Sequence, residues 1–195
     1  MDGFESYKTL VRRYHRTLDL MSDRAVAELD TKIDEARVYA DLLKPRLSPI
    51  DRILDLGSGV GLPGIVLACA FPDHDVALVE RRLRRANFLK LCVGQLGLAN
   101  VTVVTDDVQA FNDVPYEWIC AQAVGQFRLL YCLTRRLHAP TVTVVSRRDG
   151  VSPAEQAELE AVSSPVLETV TAPLPTHGKV VAVRLTGGRP CPSSG

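Results

Sequence analysis

Residues 52–80 read RILDLGSGVGLPGIVLACAFPDHDVALVE. An apolar run, Arg52–Leu56, stops at a glycine-rich turn. An amphipathic segment from about Leu62 to Ala70 follows, with Pro63 tolerated in a helix's first turn. Pro72-Asp73-His74 turns the chain into a second apolar run, Asp75–Val79, which ends in the acid Glu80. Strand, turn, helix and parallel strand make a βαβ unit, and such a unit seats an adenosine-bearing ligand across the carboxyl ends of its strands.

The pattern continues on both sides of this unit. Downstream, Arg82–Leu96 carries Ala86, Phe88, Leu89, Cys92, Val93 and Leu96 on one helical face, and Gly97 stops it. Strands follow at Val101–Thr105, Trp118–Ala121 and Thr141–Ser146, separated by a short turn or helix at Asp107–Phe111 and a helix at Phe127–Leu137. Ser152 with Glu155 forms a capping box for a helix running to about Val162. Pro165–Thr171 and Lys179–Leu185 then read as two strands joined by the loop APLPTHG, with no helix between them. Upstream, residues 4–20 place Tyr7, Leu10, Val11, Tyr14 and Leu18 at helical spacing. A second helix, capped by Ser22 or Asp23, buries Ala25, Leu29, Ile33, Ala36, Ala40 and Leu43, and Pro45 and Pro49 end it. The expected fold is α/β and Rossmann-like: a mainly parallel seven-stranded sheet with an antiparallel edge pair, preceded by helices. The expected organisation is an N-terminal helical extension over 1–48 lying across the site's mouth as a lid, a ligand-binding domain over 49–186, and a disordered tail over 187–195.

Composition narrows the class. Positive and negative side chains balance at 23 each, unlike a strongly basic nucleic-acid binder, so any polyanion surface must be a local patch. Cys69, Cys92, Cys120, Cys132 and Cys191 have no paired spacing, and four fall in apolar runs, which reads as buried reduced thiols rather than disulfides or a metal site. Neither a leader nor an apolar run approaching ~20 residues is present in the sequence, so the expectation is a soluble, cytoplasmic protein with no membrane partner.

The glycine loop decides the chemistry. Gly57-Ser58-Gly59-Val60-Gly61 follows a strand and opens a helix. A dinucleotide fingerprint needs its third glycine where Leu62 stands, and a P-loop needs Gly-Lys-Ser/Thr; neither is present. G-x-G-x-G preceded by Asp55 resembles instead the S-adenosylmethionine-dependent methyltransferases. That resemblance implies a loop packed on the methionine and ribose of the donor, with Asp55 helping to hold the ammonium and Glu80 accepting from the ribose hydroxyls. A carboxylate suits the last task because it offers two acceptor oxygens. Just after the third strand, Asp107 and Val108 would meet the adenine, or Asp107 would only cap the short helix. Leu62 and Phe111 would flank the adenosine or join the core.

Within that class, GSGVGLPGIVLA, VERRLRRANFLKLCVGQLGLANVTVVTDDVQAF and PLPTHGKVVAVRL resemble the GidB (RsmG) family over roughly residues 10–186. Leu62-Pro63-Gly64 is the distinctive part. The resemblance implies methylation of guanine N7 in small-subunit ribosomal RNA. It also implies donor contacts by Gly57, Leu62, Arg81, Val108, Gln109 and Gln122, in addition to Asp55, Ser58, Gly59, Gly61, Glu80 and Asp107, and no metal. Three departures lie on the acceptor side. Gln122 stands where the family has an arginine, the family's N-terminal segments are not recognisable, and Ser146-Arg147-Arg148-Asp149-Gly150 replaces its Leu-Lys-Gly. An amide has neither the fixed charge nor the bidentate fork of a guanidinium.

Three readings of function follow: an enzyme acting on ribosomal RNA or the small ribosomal subunit, a methyltransferase for a small-molecule acceptor, and a donor-binding module without catalysis. Arg81, Arg82, Arg84, Arg85, Arg135, Arg136, Arg147 and Arg148 form a candidate basic strip for the first. A proton-bearing acceptor would need a base, for which His15 and His177 are the candidates. Cys120, in an apolar strand, reads as a core thiol rather than a nucleophile.

Overall fold

The computed structural model describes residues 3–122, 125–163 and 166–186. The expected tail over 187–195 lies outside them. In chain order the elements are α1 (Gly3–Tyr14), α2 (Asp23–Ala27), α3 (Leu29–Leu43), β1 (Ile53–Leu56), α4 (Gly64–Ala70), β2 (Val76–Val79), α5 (Leu83–Leu96), β3 (Val101–Val104), β4 (Tyr116–Ala121), α6 (Phe127–Thr134), β5 (His138–Arg148), α7 (Pro153–Val162), β6 (Val166–Pro173) and β7 (Lys179–Thr186). They build one seven-stranded sheet in the order β3-β2-β1-β4-β5-β7-β6. The first five strands are parallel, and β7 runs antiparallel between β5 and β6. The Rossmann-like architecture with an antiparallel edge pair is therefore the fold. Chain order reverses at β1, which pairs with β2 on one side and β4 on the other, so the switch-point crevice opens above the ends of these strands.

Side chains alternate across a strand, and this chain sorts them cleanly. Ile53, Val76, Leu78, Trp118, Cys120 and Val145 enter the core shared with α1, α3, α4 and α5. Leu54, Leu56, Ala77, Val79, Ile119, Ala121 and Val144 enter the opposite core, under α6 and α7. The strands β1 and β2 are buried throughout, as central parallel strands are. The same alternation sends Asp55 to the α4 face.

The N-terminal helices join the first of these cores. Tyr7, Val11, Leu29, Ile33 and Leu43 are buried in one cluster with Ile65, Leu67, Phe88 and Leu89. α3 packs on α4, and α1 packs on α5. The single helix expected after Ser22 is two, α2 and α3, which meet at Glu28; Ser22 is the cap, accepting from the Ala25 amide. α4 begins at Gly64 rather than Leu62, and Pro63 occupies its N-cap position. The expected capping box at α7 is half formed. Ser152 Oγ accepts from the Glu155 amide at 3.2 Å, but Glu155 Oε1 turns away to accept from the Phe127 amide at 3.1 Å, capping α6 instead. Cys92 and Cys120 are buried free thiols and Cys69 is free and exposed. Cys132 corrects the all-reduced reading, because it is disulfide-bonded; spacing along a chain does not say which sulfurs meet in space. Among the described residues no helix is long and apolar enough to cross a membrane.

Candidate active site

The cleft at the switch point has a volume of about 500 Å3. Its walls come from the ends of β1 and β2, from the turn after β3, and from Gln122 after β4. Of the residues singled out from the sequence, Gly57, Glu80, Arg81, Asp107, Val108, Gln109 and Gln122 line it together. Arg82, Arg85, Asp106 and Leu133 also line it; Leu133 lies on α6, and nothing in the sequence ties it to the loop.

Below the cleft, two buried carboxylates hold the glycine loop. Glu80 Oε2 accepts from the Gly59 amide at 3.0 Å, and Oε1 accepts from the Arg82 amide at 2.8 Å. Each oxygen keeps a lone pair. Gly57, Gly59 and Gly61 all have positive φ, at 71°, 57° and 106°, a region that costs glycine nothing. Asp55 does not line the cleft. It lies beneath the loop, 1% exposed, where Oδ2 accepts from the Gly64 amide at 3.1 Å and Oδ1 has no hydrogen-bond partner among the described residues. Burial pushes its carboxyl up to about 7, and the charge of Glu80 adds to the rise. Gly64 makes this contact possible, since a Cβ there would fall on Leu78 and within 2.6 Å of Asp55 Oδ2.

Ser58, Gly59, Gly61 and Leu62 shape the loop without lining the cleft. Ser58 is buried and its hydroxyl donates to the Asp55 carbonyl at 2.9 Å. Leu62, 6% exposed, packs in the core with α4 and α5, so it supports the loop from behind. Asp107 lines the cleft, and its Oδ1 accepts from the Gln109 amide at 2.9 Å to close a turn rather than to cap a helix. Phe111 packs against the second core. Two tyrosines tie the N-terminal helices to the site. The Tyr7 hydroxyl donates to the Val60 carbonyl at 3.1 Å, and the Tyr39 hydroxyl donates to the Ala121 carbonyl at 3.4 Å. The pattern of apolar residues shows Tyr7 but not Tyr39, which lies outside the stripe read from α3.

A second depression, of about 390 Å3, is lined by Gln122, Arg147, Arg148, Asp149, His177 and Gly178. It adjoins the first cleft through Gln122. Arg147 lies on the α3 face of β5, where its Nη1 donates at 2.8 Å to Glu35, which is buried. The Thr176 hydroxyl donates to the other oxygen of Glu35. Arg148 goes to the opposite face, pairing with Glu155 at 3.0 Å and lying over the Phe127 ring. His15 is not placed to act as a base. Its Nδ1 meets the Arg12 carbonyl at 2.8 Å and its Nε2 meets Asp23 at 3.0 Å. Cys120 is a core thiol whose pKa burial pushes well above the usual range.

A family model described as rRNA small subunit methyltransferase G, the GidB family, matches residues 1–172. The chain belongs to the GidB family. The "Ribosomal RNA small subunit methyltransferase G" of Halorhodospira halophila is 31% identical over 159 residues, spanning 82% of this chain and 74% of that one. Its namesake from Chromobacterium violaceum is 32% identical over 172 residues, spanning 88% and 80%. Among solved structures, a SAM-dependent methyltransferase from Aquifex aeolicus superposes with a TM-score of 0.61 at 14% identity, covering 88% of this chain and 98% of that one, a likeness of fold. As a GidB-family member the chain is an S-adenosylmethionine-dependent methyltransferase.

Proposed function

We propose that this GidB-family enzyme methylates guanine N7 in small-subunit ribosomal RNA, working in the cytoplasm where that RNA is found. The observation that carries the reading is the extent of the family match, which spans the donor cleft and most of the acceptor depression. The relatives bear the name of an enzyme of small-subunit ribosomal RNA, and none of this supports a small-molecule acceptor.

The residues present fit the donor. Glu80 has spare acceptor capacity at the cleft for two ribose hydroxyls. The unpartnered Oδ1 of Asp55, outside the cleft and beneath the loop, is an acceptor that the donor's ammonium would satisfy on reaching below the loop, and Asp107 and Val108, which line the cleft, would meet the adenine edge. S-adenosylmethionine supplies a methyl group already activated by its sulfonium. The protein's task is then alignment, which lowers the barrier by fixing reactants in near-attack geometry. Guanine N7 bears no proton, so no residue has to remove one. Gln122, shared by cleft and depression, can donate its amide to the neighbouring O6 while offering nothing that competes as a nucleophile.

The test is transfer of a labelled methyl group to small ribosomal subunits that lack their modifications. Nuclease digestion of the product should yield labelled 7-methylguanosine. Donor binding by calorimetry without label in the RNA would refute the ribosomal reading.

A further inference from the structure

Three depressions lie in a row along the carboxyl edge of the sheet. The donor cleft shares Arg82 and Arg85 with a hollow of about 400 Å3 beside Leu18 and Asp19, and it shares Gln122 with the acceptor depression on its other side. Together they form one groove with the donor cleft at its middle. The sequence leaves open whether the scattered arginines converge, and the fold sorts them. Arg136 is spent on the Gln109 carbonyl and Asn112, and Arg148 on Glu155. Arg85 donates to the Asp19 carbonyl at 2.8 Å. Arg81, Arg82 and Arg84 are exposed, and their guanidinium groups make no ion pair among the described residues. Leu83, between them, is 62% exposed at the start of α5.

The charges along the groove alternate in a way that says what it can hold. Its middle carries the acids Glu80, Asp106 and Asp107, which repel a phosphate, with Arg81, Arg82 and Arg85 along its β2–α5 wall. One bank carries the free guanidinium groups of Arg82 and Arg84; the other carries Arg147, fixed by the buried Glu35, beside Asp149 and the Glu155-paired Arg148. A guanidinium fork matches both a phosphate and the O6 edge of a guanine. We propose, resting on the ribosomal RNA reading above, that a single RNA strand crosses the donor cleft along this groove. Arg82 and Arg84 hold its phosphates on the β2–α5 bank, and the acceptor base sits against Gln122 and Arg147 on the other. Leu83 gives a ribose or base an apolar contact between the two phosphate-binding arginines. Arg147 thus places a guanidinium beside Gln122 from a different strand, anchored through Glu35 by α3.

The experiment measures binding of an RNA fragment of the small subunit by fluorescence anisotropy across a salt series, together with methyl transfer and donor calorimetry. In an R84Q variant, whose side chain lies outside the donor cleft, RNA affinity should fall and the slope of log K against log salt should shrink by roughly 0.7–1 with donor affinity unchanged, and R82Q/R84Q should about double the change in slope. R147K keeps a cation for Glu35 but loses the fork; methyl transfer should fall about tenfold or more while RNA and donor affinities hold. An R147Q/E35Q double variant removes the buried pair together and should show the same loss, which separates base seating from a folding defect. Wild-type salt slopes in R82Q/R84Q, or wild-type transfer rates in both Arg147 variants, would overturn the proposal. Failure of the wild-type protein to bind or methylate the RNA would overturn the ribosomal reading itself.

Discussion

Replacing Asp55 with asparagine should make the protein more stable and a poorer binder of its donor, and the first effect should grow with pH. The carboxyl is buried, one oxygen accepts from Gly64, and the other has no partner among the described residues. Its folded-state pKa is about 7, against an ordinary value of 3.8. A group raised in the folded state favours folding fully below its unfolded pKa and loses that contribution as pH climbs through the folded one. Between these values the unfolded chain releases the proton while the native protein keeps it, so every step up in pH costs stability. Integrated with those two values, the penalty is roughly 0.6 kcal/mol at pH 4, about 1.7 at pH 5, and about 4 at pH 8, where it levels off. Asparagine keeps the acceptor for Gly64 and carries no charge. Urea unfolding of the ligand-free proteins at pH 4, 5 and 8 should therefore show Asp55→Asn gaining on the wild type by roughly 3–4 kcal/mol across the series. Calorimetry at pH 8 should show donor affinity down by about 10- to 100-fold, the scale of a lost charge-assisted hydrogen bond. A stability difference that stays flat from pH 4 to 8 would refute the burial argument. Unchanged donor affinity would show that the ammonium does not meet this carboxylate.

Glu80→Ala strands the Gly59 and Arg82 amides, so thermal unfolding should report a loss of about 2–4 kcal/mol, and calorimetry should show donor binding weakened by more than tenfold. Gly64→Ala drives a Cβ into Leu78 and Asp55 and should cost about 1–3 kcal/mol in denaturant unfolding. Gly94→Ala, in α5 with nothing within 4 Å of its Cβ, is the control and should instead stabilise by about 0.5–1 kcal/mol. Tyr7→Phe removes the hydroxyl that donates to Val60; unfolding should report a loss of about 0.5–1.5 kcal/mol, with a small drop in donor affinity as the glycine loop loosens.

The cleft proposed for the donor is legible in the sequence because it is local. Strand, glycine turn, helix and second strand fall within residues 52–80, and backbone geometry alone brings Gly57 and Glu80 to one crevice. What the pattern could not show was the depth of each residue. Asp55 and Glu80 look alike as acids at strand ends, yet strand alternation turns Asp55 under α4 while Glu80, one residue past β2, reaches the cleft. Leu62 likewise follows the loop in sequence but packs behind it. The proposed acceptor half is assembled from residues far apart: Glu35 on α3, Gln122 after β4, Arg147 at the end of β5, and Thr176 in the β6–β7 loop. No spacing rule links positions separated by 112 and 141 residues. Arg147 and Arg148 look equivalent in the sequence and both line the second depression, and only the pleat pairs one with Glu35 and the other with Glu155.

The two halves meet in α3. Its Glu35 fixes the acceptor-side guanidinium, and its Tyr39 holds the Ala121 carbonyl beside Gln122. The helix is positioned in turn by packing on α4, whose first amide is held by Asp55. A change in the charge of Asp55 therefore acts on the seat of α4, and α4 is the surface on which α3 rests. This makes the N-terminal helices part of the scaffold that joins the cleft to the second depression. It also gives a reason to keep an ionisable residue buried at a cost of several kcal/mol, where a neutral one would fold better. On the proposed reading, in which the donor's ammonium meets this carboxylate, the energy lost to it in the ligand-free protein would be regained in part on binding, and donor binding and the seating of α4 would reinforce each other.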